Sequence, residues 1–328
     1  MRIIIPEDYQ QAVRGLDCFA RLHGHDVVVL DQPLHGVDAM AAAFAGAQAL
    51  VLIRERTHID EALLARLPEL RLICQTGRLS ANIDLEACTR HGVAVAEGSG
   101  SPVAPAELAW ALVMAASRRL QAYADALRAG HWQALGDRGL GRTLQGRTLG
   151  IWSYGKIGRL VAGYGRAFGM RVQVWGSADS CAQAQADGYE IAASRAALFA
   201  SSDVLSLHRR LSDASRHEVT ADDLARMRPD ALLVNTSRAE LIAPGALLAA
   251  LDAGRPGMAA VDVFEDEPLL DASAAWLRHP RVLATPHLGY VERDSYEQYF
   301  SVAFDNLLAF AAGTPSRIAN PQVLRGAG

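Results

Sequence analysis

The sequence predicts an α/β protein of two domains, each a parallel sheet flanked by helices. Three observations predict it. The chain has 328 residues, and at roughly 150 residues per domain that makes two. Short β-branched runs alternate with longer Ala- and Leu-rich segments, the strand–helix–strand rhythm of parallel sheets. A turn-rich stretch, Glu97-Gly98-Ser99-Gly100-Ser101-Pro102, interrupts that rhythm.

The elements follow in order. Ile3-Ile4-Ile5, Asp26 to Leu30, Ala49 to Ile53, Leu70 to Cys74 and Val93-Ala94-Val95 read as strands. Asp38 to Ala45 and Asp60 to Arg66 read as helices between them. Past the turn-rich stretch, Ala104 to Leu120 reads as a long amphipathic helix, with Ser101 as its cap and Glu107 in its early turns. A second series starts at Arg147. Its strands are Thr148 to Trp152, Arg171 to Trp175, Val204 to Leu207, Ala231 to Asn235, Met258 to Val263 and Val282 to Ala284. A last helix covers about Arg293 to Ala312.

Composition excludes several classes. Half the residues are apolar and 21% are charged, which fits buried cores and not disorder. The 32 Lys+Arg against 36 Asp+Glu leave a net charge of −4, which argues against a nucleic-acid partner. Cys18, Cys74, Cys88 and Cys181 are scattered without metal spacing, so reduced thiols and no metal site are expected. The N-terminus turns acidic too soon for a signal peptide. The most apolar run, Ala39 to Ile53, is too short for a membrane span. The expectation is a cytoplasmic protein with no membrane partner.

The strongest local signal is Gly150-Ile-Trp-Ser-Tyr-Gly-Lys-Ile-Gly158, between a strand and a helix. Such a turn lets the backbone approach a pyrophosphate, with helix N–H donors behind it. The fit to G-x-G-x-x-G is imperfect: Ser153 stands at the first glycine, while Gly155 and Gly158 match. The next strand ends Trp175-Gly176-Ser177, with no carboxylate for a ribose 2′-hydroxyl and Asp179 three residues beyond Gly176. Ser177 can donate to a hydroxyl or to a 2′-phosphate, so NAD and NADP both stay open. Arg209 and Arg210 either add charge near an adenosine or lie in a solvated loop.

Three charged residues stand at strand ends: Arg238, Asp262 and His287. Ligands of open parallel sheets bind outside those ends. Each alone has a bland explanation, and their coincidence points to one crevice. Glu267, before Pro268, is a candidate to orient His287, and a His–carboxylate pair can exchange a proton with a carbonyl or hydroxyl oxygen.

These residues resemble the D-isomer-specific 2-hydroxyacid dehydrogenases. The likeness is carried by Gly150 to Gly158, Val234-Asn-Thr-Ser-Arg238, Asp262-Val-Phe-Glu-Asp-Glu-Pro268 and Thr285-Pro-His-Leu-Gly289, with Asn82-Ile83-Asp84, Glu107 and Gly130-His-Trp132 in support. The resemblance implies two Rossmann-like domains with the active site in the interdomain cleft. Residues 1–100 plus 289–328 would bind substrate, and 101–288 the dinucleotide. It implies His287 as general acid/base, Glu267 as its partner and Arg238 on the substrate carboxylate. Ser153, Tyr154, Gly155, Lys156, Ile157, Gly158, Ser177, His208, Thr236 and Asp262 would line the cofactor, NAD or NADP, with Asp262 toward the nicotinamide. Arg54 and the loop Thr76-Gly77-Arg78 would bind substrate, the loop through backbone N–H groups. A homodimer through the cofactor domain is also implied.

Departures from the family pattern are Ser153, Gly176, Leu79-Ser80-Ala81, Ala239-Glu240 and Arg210. The chain length leads us to expect none of the extra regulatory domains of some phosphoglycerate dehydrogenases. The implied reaction is hydride transfer between a nicotinamide and C2 of a small D-2-hydroxy or 2-oxo acid. D-3-phosphoglycerate would call on cations such as Arg54, Arg56 and Arg78. An NADPH-dependent glyoxylate or hydroxypyruvate reductase needs fewer. A formate- or phosphite-type oxidoreductase is another enzyme reading, and a nucleotide-sensing, corepressor-like protein is a reading from a different class.

Overall fold

The computed structural model describes residues 1–136 and 139–325; residues 326–328, the end of the expected substrate domain, lie outside the described residues. The chain divides into two compact units, Met1–Ser101 with Val291–Gly328, and Pro102–Tyr290.

The first unit holds β1 (Arg2–Ile5), β2 (Asp26–Val29), α1 (Val37–Ala43), β3 (Ala49–Leu52), α2 (Glu61–Leu64), β4 (Leu72–Gln75), α3 (Leu85–Arg90) and β5 (Ala94–Glu97). Its five strands are parallel in the order β2-β1-β3-β4-β5. Strand β3 is buried throughout, as are Ile3 to Ile5 of β1, which explains their unbroken apolar runs. Asp60 and Asp84 cap α2 and α3 by accepting from Leu63 N and Ala87 N. The predicted strand start at Leu70 is corrected: Leu70 N donates to Leu67 O in a turn, and the strand begins at Leu72.

The second unit continues with α4 (Val103–Ser117), α5 (Leu120–Arg128), β6 (Thr148–Trp152), α6 (Lys156–Ala167), β7 (Arg171–Trp175), α7 (Ala178–Ala186), β8 (Glu190–Ile191), α8 (Arg195–Ser201), β9 (Val204–Leu207), α9 (Ala221–Arg226), β10 (Leu232–Asn235), α10 (Ala246–Asp252), β11 (Met258–Val261), α11 (Ala275–Arg278) and β12 (Val282–Ala284). Its seven strands are parallel in the order β12-β11-β10-β9-β6-β7-β8. That is a doubly wound sheet whose order reverses between β6 and β9. The chain then returns to the first unit as α12 (Arg293–Ala311).

Alternation along the strands covers both faces of the larger sheet. Leu149, Ile151, Val172, Val174 and Val234 pack with Ala109, Val113 and Val161 of α4 and α6. Trp152, Leu205, Leu207, Leu233 and Val261 pack on the other side with Phe199, Leu224 and Leu247 of α8, α9 and α10. Ser101 does not cap α4: Pro102 holds that position without a side-chain hydrogen bond. The long predicted helix also breaks early, because Arg119 turns left-handed (φ 53) between α4 and α5. Strand β8, two residues long, is too short to leave a sequence pattern.

Phe199 is fully buried and meets the Trp152 ring edge-on at 5.6 Å. Replacing it with Ala removes that packing and leaves a cavity. The expected cost is about 3–5 kcal/mol, read as a fall in Tm of roughly 6–20 °C in a thermal melt.

Candidate functional site

One register row organises the larger sheet. Trp175, Trp152, Leu207, Asn235, Val261 and Ala284 are successive Cα partners across β7, β6, β9, β10, β11 and β12. Each predicted residue of this unit lies beyond the row. Ser177 follows Trp175, Ser153 follows Trp152 and His208 follows Leu207. Thr236 and Arg238 follow Asn235, Asp262 follows Val261, and His287 follows Ala284. With strands about 4.8 Å apart, the glycine turn and His287 stand roughly 19 Å apart along the sheet edge. That edge suits an elongated ligand lying across the switch point.

The turn after β6 fits a dinucleotide. Ser153 takes φ 79, a left-handed backbone that glycine adopts without strain. A Cβ on Gly158 would collide with Ser153 O, so helix and strand can pack closely only with glycine there. A Cβ on Gly155 would meet nothing within 4 Å. The fold alone does not demand glycine at 155; a ligand approaching the exposed backbone at the N-terminus of α6 would. Lys156 is exposed. The Tyr154 side chain is turned away, buried with its hydroxyl donating to Asp187 Oδ2 at 2.8 Å. Ile157 packs against the core. Tyr154 is therefore corrected to a backbone contributor at most.

Gly176 has little room for a carboxylate: an added Cβ would lie 3.1 Å from Ser180 Cβ. Ser177 caps α7, accepting from Ser180 N at 3.3 Å. Asp179 is exposed in the first turn of α7. His208 donates its N–H to Trp152 O, and its Nε2 lies 2.9 Å from Ser206 Oγ. Protein atoms enclose the ring although some of its surface stays accessible, and this desolvation pushes its pKa down to about 4, leaving it neutral. Thr236 is half-buried in the turn before Arg238. Arg209 is paired with Glu218 at 2.9 Å, which reduces the charge it can bring to a ligand.

The other end of the row carries an acid–base pair. His287 Nδ1 lies 2.6 Å from Glu267 Oε2, and both side chains are partly exposed. Glu267 Oε1 accepts from Phe264 N at 2.9 Å, which fixes the carboxylate. His287 takes φ 51, an uncommon backbone for histidine. Asp262 holds it there. Its carboxylate accepts from Thr285 Oγ1 (2.6 Å) before the histidine, and from Leu288 N (2.7 Å) and Gly289 N (3.0 Å) after it. Burial pushes the Asp262 carboxyl pKa up, and these donors oppose the shift. Asp262 has no exposed surface, so its visible work is on the histidine loop. The Tyr290 ring meets His287 edge-on at 5.4 Å. Arg238 follows β10; its Nη1 donates to Ser237 O, and its carbonyl accepts from Asn235 Nδ2.

In the first unit, Arg54 follows β3 and the loop Thr76–Arg78 follows β4. Arg54 is held at φ 53. Its N–H donates to Thr76 Oγ1 (2.8 Å) and its carbonyl accepts from Gln75 Nε2 (2.7 Å). Its guanidinium reaches Thr76 O and Glu55 Oε1, both at 3.2 Å, and lies 5.6 Å from the Tyr299 ring centre. A Cβ on Gly77 would collide with Arg54 Nη1, so that glycine makes room for the arginine. Thr76 is corrected as a donor to substrate: its N–H and hydroxyl both donate to Leu52 O. The N–H groups of Gly77 and Arg78 have no partner among the described residues, and Arg78 is exposed.

Sequence reasoning missed the clamp of Gln75, Glu55 and Tyr299 on Arg54. Gln75 lies inside a strand and Tyr299 more than 200 positions away, so no local pattern marks them. It also missed the link from Asp262 to the histidine loop.

Residues 110–289 match the family model described as D-isomer specific 2-hydroxyacid dehydrogenase, NAD binding domain. A glyoxylate reductase of Aeropyrum pernix is 36% identical over 274 residues, 81% of each chain. An (S)-sulfolactate dehydrogenase of Chromohalobacter salexigens is 35% identical over 80% of this chain and 84% of its own. A solved structure of a phosphoglycerate oxidoreductase from Vibrio cholerae is 54% identical, covers 95% of this chain and 99% of its own, and has a TM-score of 0.93. The doubly wound sheet, its glycine turn and these similarities over most of the length agree: the chain belongs to the D-isomer-specific 2-hydroxyacid dehydrogenases, NAD- or NADP-dependent oxidoreductases of 2-hydroxy acids.

Proposed function

We propose that this dehydrogenase interconverts a small 2-oxo acid and its D-2-hydroxy acid, with His287 as general acid/base. The observation that carries the reading is the 2.6 Å contact between His287 Nδ1 and Glu267, which leaves Nε2 for a substrate oxygen. The nicotinamide cofactor, when bound, supplies or accepts the hydride at C2. Arg238 binds the substrate carboxylate and stabilises the negative charge that grows on the carbonyl oxygen during reduction. His287 Nε2 gives that oxygen its proton, and takes it back in the reverse direction. Glu267 fixes the ring tautomer and stabilises the charged imidazole.

In this reading residues 101–288 hold the dinucleotide, through the backbone of Ser153 to Gly158 and through Ser177, His208 and Thr236. The resemblance also gives Asp262 the nicotinamide end. Residues 1–100 with 289–328 recognise the acid, through Arg54, Gly77 and Arg78. A homodimer through the cofactor domain is supported by the apolar side chains exposed between 103 and 140: Val103, Leu120, Leu127, Trp132 and Leu140. A cytoplasmic location belongs to the same reading; no helix among the described residues is long and apolar enough to cross a membrane.

His287→Ala is expected to cut kcat for hydroxypyruvate or glyoxylate reduction by roughly 10²-fold or more, with nucleotide binding retained. Near-wild-type turnover refutes the assignment. No turnover of any 2-oxo acid by the wild type, with tight nucleotide binding, would favour a nucleotide sensor. Arg238→Ala is expected to raise KM for the acid and to lower kcat; steady-state kinetics showing neither would make Arg238 structural. Because Gly176 presents no acid to a 2′-phosphate, NADPH is expected to support hydroxypyruvate reduction within about tenfold of NADH or better. A kcat/KM ratio favouring NADH by more than about 10²-fold would overturn that expectation.

A further inference from the structure

We infer that the substrate is a 2-oxo or D-2-hydroxy acid whose tail beyond C2 carries no second anionic group, and that Glu55 is the specificity-determining residue that sets this limit. The inference rests on the functional reading above and names its substrate class. The relatives divide on the point: one is named for glyoxylate, and others for acids with a sulfonate or phosphate on the tail.

The first unit's sheet reverses its strand order between β1 and β3, the place where an open parallel sheet takes its ligand. Arg54 and Arg56 follow β3 there, and Arg78 follows β4. Two of these cations are already engaged inside the unit, and one of them is neutralised. Arg54 Nη2 is 3.2 Å from Glu55 Oε1, with each side chain only 20% exposed. The φ 53 backbone, the Thr76 carbonyl and the Tyr299 ring hold the guanidinium in that pairing. Arg56 donates to Glu7 O (2.6 Å), Gln10 Oε1 (3.2 Å) and Tyr296 Oη (3.1 Å), and stacks on Tyr9 at 4.6 Å. Glu7, whose backbone carbonyl Arg56 reaches, is buried, and its carboxylate accepts from Tyr9 Oη and Thr57 Oγ1.

Arg54 and Glu55 therefore sum to zero charge, and the Arg56 guanidinium is committed to acceptors inside the unit. Arg78 remains, but it is exposed, where water and salt weaken a lone cation. A phosphate or sulfonate seated on Arg54 would have to share it with the Glu55 carboxylate. Like charges in a half-buried site reject such a ligand. An uncharged hydrogen, methyl or hydroxymethyl tail meets no such repulsion.

The test uses the whole purified chain with NADH and NADPH. Its substrates are glyoxylate, pyruvate, hydroxypyruvate, 3-phosphohydroxypyruvate and 3-sulfopyruvate. The expected result is a kcat/KM for hydroxypyruvate or glyoxylate at least about 10²-fold above that for either charged-tail acid. Glu55→Gln is expected to narrow the hydroxypyruvate to 3-phosphohydroxypyruvate ratio by about tenfold or more, chiefly through a lower KM for the phosphate ester; Glu55→Asp keeps the wild-type ratio. Equal or better turnover of 3-phosphohydroxypyruvate by the wild type overturns the inference and leaves His287 in its role. An unchanged ratio in Glu55→Gln overturns the assignment to Glu55. Should that variant not fold, the wild-type ratio decides the substrate class by itself. Failure to reduce any of the five acids sinks the functional reading and this inference together.

Discussion

The larger unit's site depends on one buried carboxylate. Asp262 lies at the end of β11 with no exposed surface, where burial disfavours its charge. It is held by three donors from the chain on both sides of His287. Without that clamp the left-handed backbone of His287 would lose the three hydrogen bonds that flank it, and such a conformation persists only when its surroundings over-determine it. With the clamp, the imidazole stands at a fixed distance from Glu267. The acid–base pair is thus shaped in part by a residue whose own side chain never reaches solvent.

Parallel register is the second constraint. Six strands end in one row, and every strand delivers its next residues to the same edge of the sheet. Residues more than 130 positions apart, from Ser153 to His287, are placed on one line by the sheet alone. Ligand-facing chemistry gathers at that edge because loops can vary there while the strands beneath stay packed.

The smaller unit shows the same economy with a different result. Arg54 is fixed by contacts from three elements: the end of β4, its own neighbour Glu55 and Tyr299 of α12. Its guanidinium is thereby oriented and at the same time neutralised. Orientation and net charge are separate properties of a cation. A count of arginines in the sequence reports the second only when their partners are known.

The strands were legible in the sequence because burial on both faces writes a continuous apolar run, and the glycine turn because close packing at Gly158 tolerates no Cβ. Leu70, Ser101 and the run across Arg119 misled because each satisfies a local pattern that a tertiary contact or a left-handed turn overrides. His287, Glu267 and Arg238 could be picked from residue type and position after strands. The direction in which Tyr154 points, the commitment of the Thr76 N–H to the sheet, and the pairing of Arg54 with Glu55 could not. Sequence by itself determined where strands end and which chemistry follows them, because those depend on local hydrophobic periodicity. Only the tertiary structure decided which polar groups remain available, because a hydrogen bond spent inside the fold joins residues that no spacing rule connects.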